Sequence, residues 1–577
     1  MICNYQKIRD FVSPRNVYKK AQRKNTSRTI FPHFIEQKKE SQKTIHLFLS
    51  LKVEPLSTFP FPPPPLLLLL LQHRKMSENH PHVLIFPYPA QGHMLPLLDF
   101  THQLFIRDIA ITILVTPKNL PILNPLLSRH PSINTLILPF PSHPSIPDGV
   151  ENVKDLPADG FRSMMYTLGK LQDPILDWFN NHPSPPSAII SDMFLGFTHE
   201  IATQLGIRRY VFSTSGALAL SVVYSLWSEM PQRKNTNDEN EIFELPNIPN
   251  CPKFPWWQLS PIFRSYVKGD PNSEFIRESY LADIASHGLV VNTFTELESE
   301  YLDHLMKDLG HDRVWAVGPV LPPGEENDTN NSGSSNRGGS SSALASEILA
   351  WLDTCEDNSV VYVCFGSQAV LTNKQMEELA IALEKSGVKF IWSAKRATKG
   401  HVSNNYGVIP SWFEEKVAGR GLVIRDWAPQ VLILRHRVLA AFLTHCGWNS
   451  TLEGLVAGVP MLTWPMGADQ FANANLLVDE HKVATRACEG AKTIPNSDEL
   501  AKLLAEAVQG KGVERRARAS ELRKAALNGI KESGNSFKDL ETFVKHLREE
   551  ATKIKRYEVF GDQFSWQGLS RINNYTG

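Results

Sequence analysis

Three places in this sequence set reactive side chains at the ends of apolar runs, the positions an open α/β sheet offers to its ligands. His93 follows the run His82–Phe86 and Gly92. An imidazole there, with an ordinary pKa of about 6.5, can act as a neutral base at physiological pH, although histidines at helix starts also serve as caps or solvated groups. Asp192 closes the apolar run Ala188 to Ser191, where a carboxylate is costly unless paired or open to a cleft; its plainer role is a cap for a helix over Met193 to Ile201. Farther on, Ala440 to Thr444 reads as a strand, His445-Cys446-Gly447 as a turn, and Trp448 to Ala457, stopped by Gly458 and Pro460, as a helix opening with Asn449 and Ser450. Free N–H groups and partial positive charge at such a helix start can hold a diphosphate without a metal, but Asn and Ser are also ordinary N-caps.

Other nucleotide and metal devices fail on spacing. Gly419-Arg420-Gly421 runs on as Leu422-Val423-Ile424, so the dinucleotide fingerprint is absent, and neither a Walker loop nor an Asp-x-Asp pair occurs. The six cysteines form no C-x-x-C pair, which argues against a zinc knuckle or a disulfide framework and fits a reducing compartment.

Positioning such residues requires a sheet with ligands at its carboxyl edge, and the pattern supplies two. Short apolar runs at His82 to Phe86, Ile111 to Val115, Ile133 to Leu138, Ala188 to Ile190, Tyr210 to Ser213 and Gly288 to Val291 alternate with helical stretches. This is the rhythm of a parallel sheet covered on both faces. An Asn-, Ser- and Gly-rich run from Glu325 to Ser342 cannot pack and reads as a linker. The rhythm then restarts with a strand at Val360 to Cys364 and a helix capped by Thr372 and Gln375 and stopped at Gly387; Phe390 to Trp392 is the next strand. Near the end Ser536 and Asp539 open a helix with the stripe Phe537, Leu540, Val544 and Leu547. The expected fold is thus two Rossmann-like halves facing across a cleft: a first half over 76–322, a linker over 323–345, a second half over 346–550, and a tail over 551–577.

Length and charge agree with this division. A chain of 577 residues exceeds the size of one core. Lys plus Arg equals Asp plus Glu at 60 each, so no nucleic acid or anionic membrane is indicated as partner. Residues 1–75 differ, with 14 Lys/Arg against 4 Asp/Glu. They read as sequence upstream of a natural start at Met76, with a transit peptide as the alternative, and are excluded from the fold. The longest apolar run, Leu66–Leu71, is far short of the ~20 residues a bilayer span needs, so no membrane anchor is expected.

What turns the helix start into a nucleotide site is its surroundings. Over the 44 residues from Trp427 to Gln470 the sequence reads Trp427-Ala-Pro-Gln430, then His445-Cys-Gly-Trp-Asn-Ser450 with Glu453, then Trp464-Pro465 and Asp469-Gln470. This closely resembles the sugar-nucleotide box of plant secondary-product glycosyltransferases. The Pro87-Tyr-Pro-Ala-Gln-Gly-His-Met94 opening is similar to the branch acting on flavonols and hydroxybenzoates. The resemblance covers residues 82 to about 548. It implies the GT-B fold, with Trp427 stacking on uracil, the Ala428 backbone bonding the base, and Gln430 and Glu453 taking ribose hydroxyls. Ser367, His445, Gly447, Asn449 and Ser450 would lie at the diphosphate; Trp448, Asp469, Gln470 and Thr214 at the sugar.

The resemblance also makes His93 the base and Asp192 its orienting partner, for a single inverting displacement that needs no metal or cofactor. Gln470 leans towards UDP-glucose, leaving UDP-galactose, UDP-xylose and UDP-rhamnose as alternatives, and a non-catalytic UDP-sugar-binding protein as the reading from another class. The expected acceptor is a small phenolic of flavonoid or hydroxybenzoate type, met by apolar residues such as Tyr88, Met164, Met165, Phe194, Trp256 and Trp257, each of which is also ordinary core material. A monomeric, cytoplasmic enzyme completes the expectation.

Overall fold

The computed structural model describes residues 81–156, 160–322, 344–397, 405–509 and 512–570, with side chains as far as 553. The basic N-terminal stretch and the Asn/Ser/Gly linker lie outside the described residues.

Two parallel sheets carry the fold. The first has seven strands: β1 (His82–Phe86), β2 (Ala110–Val115), β3 (Asn134–Ile137), β4 (Ala188–Asp192), β5 (Arg208–Ser213), β8 (Gly288–Val291) and β9 (Val314–Ala316). A small antiparallel hairpin, β6 (Ile242–Glu244) with β7 (Lys253–Pro255), stands apart from it. The first sheet's order is β3-β2-β1-β4-β5-β8-β9. The second sheet contains β10 (Val360–Cys364), β11 (Lys389–Ala394), β12 (Gly421–Arg425), β13 (Leu439–Thr444), β14 (Met461–Thr463) and β15 (Ala484–Arg486), in the order β12-β11-β10-β13-β14-β15.

Continuous apolar strands arise because both faces of each sheet are covered. In β1, Leu84 and Phe86 enter one core while Val83 and Ile85 enter another. In β10, Tyr362 and Cys364 join the first of these cores, and Val361 and Val363 a third. One core therefore runs through both halves of the molecule.

Each strand order reverses once, between β1 and β4 and between β10 and β13. Such switch points open a crevice beyond the strand ends. His93 lies on the helix Gln91–Phe105 that leaves β1, and Asp192 ends β4; the register sets Phe86 beside Ser191. Ser367 follows β10, and His445 follows β13.

Several elements depart from the sequence expectation. β9, β14 and β15 have three residues each, too few to show a period. No helix covers Met193 to Ile201; a turn follows Asp192 and the helix is Thr198–Leu205. The last helix, Asn535–Ser570, is continuous past residue 550, where a tail was expected. It packs on the first sheet, where Leu540, Phe543, Val544 and Leu547 are buried beside Phe100, Tyr210, Phe212 and Trp315. The Phe543 ring lies 4.9 Å from Trp315 and 5.3 Å from Tyr210, and the Ala316 N–H donates to Asp539 Oδ2 at 2.8 Å. No helix among the described residues is long and apolar enough to cross a membrane, and their cysteines are all free thiols.

Candidate active site

Asp192 is fully buried at the end of β4, and both its oxygens are used. Oδ1 accepts the Phe194 N–H at 2.9 Å, closing the turn, and Oδ2 meets His93 Nδ1 at 2.9 Å. The carboxylate is thus cap and partner at once. Thr214, one residue after β5, brings its Oγ1 to 3.1 Å from the same nitrogen. With Nδ1 held on the carboxylate, Nε2 keeps the ring's free lone pair and is the nitrogen able to accept a proton. The strands behind are pinned by buried Arg209, which donates from Nη1 to Asp283 at 2.6 Å and from Nε to Ser191 at 2.9 Å.

Aromatic rings enclose the pair. Phe194 lies 4.7 Å from the His93 ring and Tyr88 5.3 Å, and Phe161 stacks on Tyr88 at 5.9 Å. Met164 and Met165 are core residues, while Trp256 packs on Phe243 and Trp257 on Phe471. Only Tyr88 and Phe194 of the six expected acceptor residues have ring contacts with His93.

The second half supplies the other wall. The helix Trp448–Ala457 starts directly after His445-Cys446-Gly447, with Gly447 at the N-cap. His445 sits between two glycines: a Cβ on Gly366 or on Gly447 would come within 2.6 or 2.5 Å of its ring. Burial pushes its pKa down to about 4, so the imidazole is neutral, and its Nδ1 has no partner. Trp427 Nε1 is likewise buried without a partner. Both nitrogens therefore keep unused hydrogen-bonding capacity. Gln430 Nε2 donates to Glu453 Oε2 at 2.7 Å and to Ser450 Oγ at 3.0 Å, so these three form one polar group. Ala428 is buried, and its carbonyl accepts the Gln430 N–H. Gln470 Oε1 accepts the N–H groups of Met466 and Gly467, which leaves its amide nitrogen as the donor end.

The two walls touch at the site itself. Asn449 Nδ2 donates to the Gly92 carbonyl at 2.8 Å, Trp448 Nε1 to the Asn292 carbonyl at 2.7 Å, and Ser215 Oγ to Asp469 Oδ2 at 2.9 Å. Burial raises the Asp469 pKa, opposed by the Ser215 and Asn473 bonds and by His93. The imidazole of the first half thus feels a carboxyl of the second.

This arrangement can be compared with known proteins. The sequence profile described as "UDP-glucoronosyl and UDP-glucosyl transferase" matches residues 337–513. UDP-glycosyltransferase 89B2 of Stevia rebaudiana is 58% identical over 81% of this chain and 97% of its own length. The chain belongs to the plant UDP-glycosyltransferases. A flavonol 3-O-glucosyltransferase of Arabidopsis thaliana is 56% identical over 81% of this chain and 96% of its own. The crystal structure of Arabidopsis thaliana UGT89C1 complexed with UDP-L-rhamnose, 39% identical, matches with a TM-score of 0.67 over 81% of this chain and 99% of that one. The same protein has also been solved complexed with quercetin. The fold is accordingly the GT-B fold of this family.

For a plant UDP-glycosyltransferase, the least legible site residues are those that hold the walls rather than face the ligand. Glu298, buried at a kink (φ −142°, ψ 30°), accepts the Ala217 and Leu218 N–H groups at 2.9 Å and the Thr293 hydroxyl at 2.6 Å. It caps the helix Ala217–Glu229 just behind Trp448, and a Cβ on Gly216 would lie 2.6 Å from the Trp448 ring. Lys395, next after β11, directs Nζ at the Ser367 carbonyl, and burial lowers its pKa to about 8. No motif flags either residue. A carboxylate or lysine signals only when its partners, here 80 and 28 positions away, are known.

Proposed function

We propose that this enzyme transfers glucose from UDP-glucose to a phenolic hydroxyl of a flavonol-type acceptor, with inversion to the β-glucoside. The observation that carries the reading is the 2.9 Å contact between His93 Nδ1 and Asp192 Oδ2 among aromatic rings, opposite the box from Trp427 to Gln470. His93 Nε2 removes the acceptor proton, the oxygen attacks the anomeric carbon, and UDP departs from the opposite face. Asp192 holds the imidazole in one tautomer and stabilises the imidazolium.

Trp427 stacks on uracil, Ala428 bonds it, and Gln430 with Glu453 takes the ribose. Ser367, His445, Gly447, Asn449 and Ser450 hold the diphosphate at the helix N-terminus, whose partial charge serves where other enzymes use a metal. Trp448, Asp469, Gln470 and Thr214 read the sugar. Tyr88, Phe161 and Phe194 suit a flat acceptor that stacks edge-on or face-on. Glucose is favoured by Gln470 and by the 56% identity to a flavonol 3-O-glucosyltransferase. A rhamnosyl donor is the second reading, favoured by the similarity to a protein solved with UDP-L-rhamnose. The proposal includes a monomeric, cytoplasmic enzyme that requires no cofactor.

Incubation with a flavonol and, in turn, the UDP-conjugates of glucose, galactose, xylose and rhamnose, followed by product mass and anomeric NMR coupling, tests donor and stereochemistry. A β-glucoside is expected; a product from UDP-rhamnose alone overturns the donor, and an α-glucoside overturns the mechanism. His93→Ala should abolish transfer while calorimetry still detects UDP-glucose binding. Undiminished turnover in that variant removes the base.

A further inference from the structure

On the side of the first sheet covered by the last helix, two imidazoles and a carboxylate converge without any part in the mechanism above. His287 immediately precedes β8; His546 and Glu550 lie one turn apart on Asn535–Ser570. The two Nε2 atoms are 3.1 Å apart, and one ligand atom from each of the three residues lies within 4.8 Å of the others. Two nitrogens bound at about 2.0 Å to a tetrahedral zinc would stand about 3.3 Å apart, so the imidazoles already hold nearly that spacing. His546 and Glu550, at i and i+4, face the same way from the helix.

We propose that His287, His546 and Glu550 form a binding site for a transition-metal ion of the zinc class, which clamps the last helix to the first sheet. Glu550, 6% exposed, accepts from Arg208 Nε at 3.1 Å and Lys553 Nζ at 2.5 Å. Its two oxygens have four lone pairs, so it can ligate a metal while keeping both ion pairs. Around the pair, Arg208, Arg313 and Lys553 stand against Glu549 and Glu550, which leaves the surroundings net positive. That disfavours a cation held by charge alone, such as Ca²⁺ or Mg²⁺, and leaves one that bonds strongly to imidazole nitrogen. Tyr210 stands edge-on to both rings, at 5.4 and 5.9 Å, and its buried hydroxyl has no hydrogen-bond partner, so polar capacity at this spot is unmet.

The test is a titration of the chelator-treated full-length enzyme with Co²⁺, read by its visible ligand-field bands, then back-titration with Zn²⁺. One equivalent should give the bands of a four-coordinate site, and Zn²⁺ should erase them. His287→Ala and His546→Gln should each weaken binding by about 100-fold or more, since loss of outer-shell partners alone costs 10–100-fold. His102→Ala, at a second histidine pair where His102 Nδ1 lies 2.6 Å from His130 Nε2, should leave it unchanged. Zn²⁺ should raise the melting temperature of the wild-type chain and not of His546→Gln. Should the wild type show no saturable band, or should both site variants titrate like it, the pair is only a hydrogen-bonded contact and the proposal fails. Lost binding in His102→Ala with retention in the site variants moves the metal elsewhere and overturns it equally. If His287→Ala does not fold, His546→Gln and Glu550→Gln carry the same comparison.

Discussion

At the level of single residues, the pair His93 and Asp192 concentrates the most consequence in the fewest atoms. Asp192→Asn keeps the shape but can donate where it should accept, so the imidazole turns to the wrong tautomer. Turnover should fall by about 10⁴-fold, the scale seen when a catalytic triad loses its carboxylate, with UDP-glucose affinity nearly unchanged. Steady-state kinetics beside calorimetry separates the two; near-normal turnover would leave Asp192 only the cap of the Phe194 turn. Asp192 stands out in the sequence because it closes a buried apolar run and His93 because it follows one, and the resemblance of the Pro87–Met94 segment to the family is what suggests their roles. Ser215 and Glu298 do not stand out, because their roles lie in bonds to Asp469 and to the N–H groups of Ala217 and Leu218, which no local pattern encodes.

Among elements, the proposed diphosphate site depends most on the turns after β10 and β13. Gly366 has φ +76°, and any side chain there would strike His445. Gly366→Ala should therefore cost about 1–3 kcal/mol through strain and overpacking, and weaken UDP binding by at least about tenfold. Thermal melts and UDP calorimetry check both parts. The same imidazole gives the fold a pH dependence. It titrates at about 4 when folded, against about 6.5 when unfolded. Between these values the unfolded chain binds the extra proton, so stability rises with pH across that window and is lost on acidification from pH 6.5 towards 4. The loss should be about 2 kcal/mol at pH 5 and smaller in His445→Asn, measured by calorimetry. The long, capped elements here were readable: Thr372 with Gln375, and Gly458 closing Trp448–Ala457, stand where the sequence places them. The short strands β9, β14 and β15 carry no period and become strands only by pairing with β8, β13 and β14.

For the whole molecule, the halves are tied by bonds across the crevice and by the last helix, which crosses back to the first sheet. Phe543 is completely buried among Phe100, Tyr210 and Trp315. Phe543→Ala should destabilise the protein by about 3–5 kcal/mol, seen as a shifted denaturant midpoint, although it lies over 400 positions from β1 in sequence. A much smaller loss would mean the helix docks only loosely. The apolar stripe of this helix was legible, but not its destination, since Leu540, Val544 and Leu547 would suit either sheet equally. During synthesis, strands β1 to β9 leave the ribosome long before that helix exists. The nascent first half must wait, one wall of its core bare to water and chaperones, until residues 540–547 have been made.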